Sequence, residues 1–344
     1  MKSTLIVTSL VVFQCIVTDA FQNLSSVRSR STTEPKTEQT TKLSVSFGGI
    51  GRRDSETDLP RDVKDAVSRC RAATQEALKN RMSRMDIEFP VGTKFGVEKV
   101  PKAKKSDGAP TRNVLDTSDR ELARLFVEMF QPVGGENIAV TFTEQSLADA
   151  AKKKWKGDPG ASSRILAMNR RKKSKNKKSK PKGFAAKLAA EIDDSSDSSG
   201  PFKLPENTEV ALFVAPGPKE LVTIEKICDE VGAGTLVVLL NARLSKVSNF
   251  GTESGAQLFT QDFESVFCLS AAPQEVSPDC LLYRAYPGDW VMARKPKVGQ
   301  PKPLLTQKSK PTTDECQVAY EGMEISDIEQ GVENALENVV GWFS

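Results

Sequence analysis

Between residues 63 and 78 apolar side chains return every three or four positions, at Val63, Ala66, Val67, Cys70, Ala73, Ala77 and Leu78. That is the period of one helix face, and Pro60 suits a first helical turn, where its missing N–H costs nothing. At Met85-Asp86-Ile87-Glu88-Phe89 the period changes to two, predicting a half-buried strand ended by Pro90. A loop rich in Gly, Pro and Lys runs to about Asp116. Thr117 or Ser118 then stands as the cap of a second helix, with Glu121 near the capping-box position and Leu122, Leu125, Phe126, Met129 and Phe130 on one face. Residues 138–142 read as a strand and residues 145–155 as a third helix.

From about residue 157 to 205 the periodicity is lost, and the segment reads as a disordered insertion, with a short helix at 184–192. The pattern then resumes with a strand at 209–215, the turn Pro216-Gly217-Pro218, a helix at 219–231 and the apolar run Thr235-Leu236-Val237-Val238-Leu239-Leu240. A run without alternation is what a strand covered on both faces looks like, so it belongs at the sheet centre. Strands near 263–269, 281–285 and 290–293 follow without long helices between them. The order predicts an α/β fold with a largely parallel central sheet, crossover helices and an antiparallel extension. Its outline is Rossmann-like, without a nucleotide fingerprint.

The two ends read differently from this core. Lys2, the apolar run 5–17 and Thr18-Asp19-Ala20 have the anatomy of a signal peptide over residues 1–20. That run is shorter than the roughly 20 residues a spanning helix needs. Residues 21–55 are rich in Ser and Thr, carry Arg28, Arg30, Lys36, Lys42, Arg52 and Arg53, and have few acids, which is transit-peptide composition. Phe21, directly after the expected cut, resembles the start of transit peptides in algae with complex plastids. The expected address is the plastid stroma or the stromal face of the thylakoid. At the other end, Ile325, Ile328, Val332, Leu336, Val339 and Phe343 form one stripe of an amphipathic helix over 323–344. Its polar face carries acids, which anionic headgroups repel, so packing on the domain or on a partner is expected, with membrane contact at most peripheral.

Composition removes several classes of function. The chain has no histidine, which takes away His-based triads, the commonest general base and most zinc sites. Cys70, Cys228, Cys268, Cys280 and Cys316 remain after the presequence, an odd number without a C-x-x-C pair, and read as free thiols. Nine basic residues and no acid lie between Arg170 and Lys182; without them the net charge of +4 becomes −5. One aromatic-free tract is not the interleaved surface of a specific nucleic-acid reader. It reads as a solvated loop, with non-specific attraction to an acidic partner as the alternative. No phosphate-loop motif is present: Gly217 stands between prolines, and Gly232 and Gly234 lead into a strand. No cofactor or metal is expected.

Two stretches carry candidate chemistry. Asn241-Ala242-Arg243-Leu244 lies just past the central strand, on the edge where α/β sheets bind ligands. Arg243 is fitted to hold an anionic group and Asn241 to donate and accept; the plainer reading is a strand-end turn with a structural arginine. Tyr283-Arg284-Ala285-Tyr286-Pro287-Gly288-Asp289-Trp290 is a turn between strands. Tyr286 and Trp290 either pack across it or expose a recognition surface. Glu225 and Asp229, one helical turn apart, read as a solvated face before they read as a paired-carboxylate site.

In order, Leu59-Pro60 with the Ala-rich first helix, Asp86-Ile87-Glu88-Phe89-Pro90, Val140-Thr141-Phe142, Ile224-Glu225-Lys226-Ile227-Cys228, Asn241-Ala242-Arg243-Leu244, Phe263-Glu264-Ser265-Val266 and Tyr286-Pro287-Gly288-Asp289-Trp290 resemble the plastid and cyanobacterial family called domain of unknown function 1995, over about residues 59–322. The family's usual Asn-Pro-Arg-Leu has Ala242 here, Lys79-Asn80-Arg81 stands where its first helix commonly ends in glycine, and the basic insertion is peculiar to this chain. The resemblance implies an accessory factor in photosystem II assembly that binds a photosynthetic protein or assembly factor. Some family members are fused to an adenylate kinase domain, whose motifs this chain lacks. The competing expectation is a small-ligand binder or enzyme using the edge at Asn241 and Arg243.

Overall fold

The computed structural model describes residues 59–96, 112–169, 202–244, 247, 249–295 and 301–323. The segments expected to be signal and transit peptides, the basic tract, the helix expected at 184–192 and residues 324–344 of the expected C-terminal helix lie outside that set. The chain divides into two compact units, one of residues 81–265 and one of residues 1–80 with 266–344.

The unit of residues 81–265 is built on parallel strands. Its elements in chain order are β1 (Arg84–Glu88), α2 (Arg112–Phe130), β2 (Ile138–Glu144), α3 (Gln145–Lys154), β3 (Arg164–Asn169), β4 (Val210–Val214), α4 (Pro218–Val231), β5 (Leu236–Leu240) and α5 (Glu253–Gln257); α1 belongs to the other unit. β1 pairs with β5, β5 with β4, β4 with β2 and β2 with β3, all parallel, giving the order β3-β2-β4-β5-β1. The continuous apolar run is thus an interior strand, as its pattern predicts. Its alternate residues Val237 and Leu239, with Ala211 and Phe213 of β4, pack on Leu221, Ile224 and Ile227 of α4. The intervening Leu236, Val238 and Leu240 point to the opposite face, where α2 lies against β4 and β5. Both faces are covered, so alternation has no polar side to show.

Three details differ from the sequence reading. α2 includes Arg112, so Thr117 and Ser118 sit inside it rather than at its cap, and Glu121 accepts the Phe95 N–H at 3.0 Å instead of closing a capping box. β3 lies in the segment read as an insertion, where Ile165 and Ala167 are the inward pair. Trp155 ends α3 as its cap and is buried.

The second unit contains α1 (Val63–Lys79), β6 (Glu264–Ala271), whose first two residues lie at the boundary, β7 (Cys280–Ala285), β8 (Trp290–Arg294), β9 (Lys302–Gln307) and α6 (Thr313–Glu321). α1 begins at Val63, with the Asp62 carboxylate accepting the Asp65 N–H at 2.8 Å, so Pro60 precedes the helix. The strands pair antiparallel in chain order, with a register irregularity at Met292/Ala293. α/β with a parallel sheet and antiparallel strands is therefore the fold, as expected. β9 and α6 are additions to the sequence reading. Pro303 weakens the strand signal of β9, whereas α6 announces itself by Thr312 and Glu315, which form a capping box. Among the described residues no helix is long and apolar enough to cross a membrane.

Candidate functional site at the C-terminal edge of the parallel sheet

The ends of β4 and β5 carry three non-glycine residues with left-handed backbone: Ala215 (φ 46°), Asn241 (φ 52°) and Arg243 (φ 54°). Asparagine tolerates this region better than most residues, and Asn241 uses the turn to reach two partners. Its Oδ1 accepts the Phe89 N–H at 2.8 Å, at the end of β1, and its Nδ2 donates to Asp119 Oδ1 at 2.7 Å, on α2. Arg243 donates to the same carboxylate through Nη1 to Oδ2 at 3.2 Å and Nη2 to Oδ1 at 2.6 Å. Such a two-point fork is the strong form of the arginine–carboxylate pair. The Asp119 side chain is 8% exposed and that of Arg243 is 23%. Burial pushes the Asp119 carboxyl up from its ordinary range, against the guanidinium and the Asn241 amide, which pull it down.

Sequence reasoning placed Asn241 and Arg243 at the right edge and missed Asp119. An aspartate in the middle of an amphipathic helix reads as solvated, and its partners lie more than 120 residues away. The plainer reading of Arg243, a structural arginine, describes its bonds. Its Nε is nevertheless buried without a hydrogen-bond partner.

Beside this network lies a cavity of about 230 Å³. Arg112, Asp116, Asp119 and Arg120 of α2 form one wall, Phe142 and Thr143 of β2 and Val214 of β4 the floor, and Arg243 the rim. Arg112 is held by Glu144, Nη2 to Oε1 at 2.8 Å, with side chains 71% and 43% exposed.

The helix start that follows β4 offers no phosphate site. Glu220 Oε2 accepts the Gly217 N–H at 3.0 Å, so a carboxylate of the chain itself occupies the place an anion would take. Glu225 and Asp229 border a larger groove, about 530 Å³, at the opposite edge of the sheet, with Arg84 and Asp262. There Arg84 donates to the carbonyls of Thr235, Cys228 and Gly232 and thereby closes the C-terminal end of α4. Among the described residues no group of His, Cys, Asp and Glu is arranged to hold a metal. The smaller cavity is the one on the C-terminal side of the sheet, the side at which open α/β sheets generally take ligands.

Tyr286 and Trp290 are not brought to this edge. Both belong to the other unit, in the β7–β8 turn, where the Tyr286-Pro287 bond is cis. Trp290 is 3% exposed and packs with Cys268, Cys280, Leu282, Met292 and Cys316. Arg284 and Lys310 lie 5.6 and 5.2 Å from the centre of its ring, so its face is occupied by cations of the same chain. Trp290 is a core residue, which corrects its place among the candidate partner-binding residues. Tyr286 is half-buried and its hydroxyl accepts from Asn80 Nδ2 at 3.1 Å.

The five cysteines of the described residues are free and buried. Burial pushes the Cys280 thiol up to about 11 and raises Cys70, Cys228 and Cys316 as well. Thiols held above their ordinary range are poor nucleophiles at neutral pH.

The model of the family described as Domain of unknown function (DUF1995) matches residues 60–318. The chain belongs to this family. The DUF1995 match reaches into both units and takes in every element described above except the last residues of α6. No curated protein and no solved structure matches the chain.

Proposed function

We propose that this DUF1995 protein is a non-catalytic accessory factor of the plastid, in the stroma or on the stromal face of the thylakoid, that binds a photosynthetic protein or assembly factor during photosystem II biogenesis. The observation that carries the binding role is the closure of Asp119, Asn241 and Arg243 on one another. A catalytic edge keeps a base or nucleophile free to meet substrate. Here the acid, amide and guanidinium are engaged with each other, the thiols are buried, and the sequence holds no histidine. The plastid address is supported by the signal-like and transit-like composition of residues 1–55, and the photosystem II role by the family resemblance.

Disruption of the gene tests the role: photosystem II falls while photosystem I holds, and normal accumulation of both overturns it. A fluorescent reporter fused to residues 1–55 tests the address separately. It enters plastids, and Phe21→Ala leaves it outside; import that ignores the substitution contradicts the two-part signal.

A further inference from the structure

The strand order creates a crevice that sequence periodicity does not show. From β2 the chain moves outward to β3, whereas from β4 it moves the other way to β5. Right-handed crossovers in opposite directions place their helices on opposite faces of the sheet, so the connections diverge between β2 and β4. The crevice outside the C-terminal ends of two such strands is where open α/β sheets take ligands. The 230 Å³ cavity lies there, lined by Phe142 and Thr143 at the end of β2 and by Val214 and Ala215 at the end of β4.

Its lining has a definite chemistry. Three guanidiniums, of Arg112, Arg120 and Arg243, face two carboxylates, of Asp116 and Asp119, and Asp119 is already engaged by Arg243 and Asn241. The Arg243 Nε is a buried donor with no acceptor. Leaving such a group unpaired is unfavourable, and an acceptor oxygen beside it removes that cost. Arg112 pairs with Glu144 at 2.8 Å and, more distantly, with Asp116 at 4.0 Å; its side chain is 71% exposed, and exposed pairs of this kind contribute little, so its guanidinium can exchange Glu144 for a ligand. α3 begins at the same edge with no side-chain cap on its first turn, which adds partial positive charge. The Asp116 carboxylate supplies an acceptor for a hydroxyl, and Leu115, Phe142, Leu147 and Val214 supply an apolar floor.

We propose that this crevice binds a small hydroxylated organic oxyanion, its charged end between Arg112 and Arg243 and its carbon body over Phe142 and Val214. Size sets the limit: at ~30 Å³ per water molecule the space equals about eight waters, below the ~300 Å³ at which drug-sized pockets begin. A phosphomonoester and a carboxylate share this chemistry. The proposal does not rest on the plastid reading, because the purified chain binds or fails to bind whatever becomes of photosystem II.

Calorimetric titration of the full chain at fixed ionic strength with glycerol 3-phosphate and with glycerate tests it. Saturable binding of either probe is expected, the first alone marking a phosphomonoester site, the second alone a carboxylate site, and both a site that reads the oxyanion end. Arg112→Gln, at an exposed side chain, weakens binding about tenfold or more, as loss of a charge-assisted contact requires, while the melting temperature of the free chain holds. Leu147→Trp, which fills the crevice, abolishes binding. Failure of the unmodified chain to bind either probe overturns the proposal. So does equal affinity in Arg112→Gln, which would place the anion on another basic stretch such as residues 170–182.

Discussion

At the end of β5 the chain turns through Asn241 and Arg243, and between β7 and β8 it turns through residues 286–289. The two turns use their side chains in opposite ways. In the parallel unit the strand ends stop together, so polar groups from β1, α2 and the β5 turn meet at one edge and satisfy one another: Phe89 N–H, Asp119, Asn241 and Arg243. In the antiparallel unit the chain doubles straight back, and the first residue of the returning strand, Trp290, points inward among Cys268, Leu282 and Met292. A polar stretch at a parallel edge is where binding chemistry gathers. An aromatic stretch at a hairpin can be the hinge of a core.

The comparison is sharpened by substitution, beginning with the hairpin. Trp290→Ala removes a buried indole and is expected to cost about 3–5 kcal/mol in urea unfolding; a loss below ~1 kcal/mol would return Trp290 to the surface. Asn241→Ala leaves the Phe89 N–H buried without its acceptor and puts alanine in a left-handed conformation. About 2–3 kcal/mol is expected from the orphaned donor and the strain, with a smaller loss for Asn241→Gly that separates them. Tyr286→Phe removes one partly exposed hydrogen bond to Asn80, and its effect is within ~0.5 kcal/mol. If Tyr286→Phe weakened the protein more than Asn241→Ala, the assignment of the two turns would be reversed.

Much of this architecture was legible in the sequence. The run 236–240 announced an interior strand because both its faces are apolar, and the short spacing of strands after residue 263 announced antiparallel pairing. What was hidden depends on contacts distant in sequence. β3 has only Ile165 and Ala167 as its inward pair, a weak signal next to a charged tract. The early start of α2 was masked by Thr117 and Ser118, good caps that lie within the helix. Asn241 and Arg243 could be placed at the right edge because a strand end is a local feature. The carboxylate that holds them, and the crevice between β2 and β4, follow from strand order and are written nowhere locally.

The central claim about the edge is that Asp119 and Arg243 exist for each other, and a double-mutant cycle measures it most directly. Asp119→Asn, Arg243→Gln and the double variant are unfolded in urea at pH 7 and again at pH 4. Removing either partner alone strands the other in a largely buried place, so each single variant is expected to lose about 2–3 kcal/mol at pH 7, and the double variant about as much as either. The loss in Arg243→Gln shrinks toward pH 4. Without the guanidinium, burial lifts the Asp119 carboxyl further above its unfolded value, so the native state takes up a proton and the stranded charge is relieved as pH falls. Losses that simply add in the double variant at pH 7, with coupling below ~0.5 kcal/mol, would contradict the account.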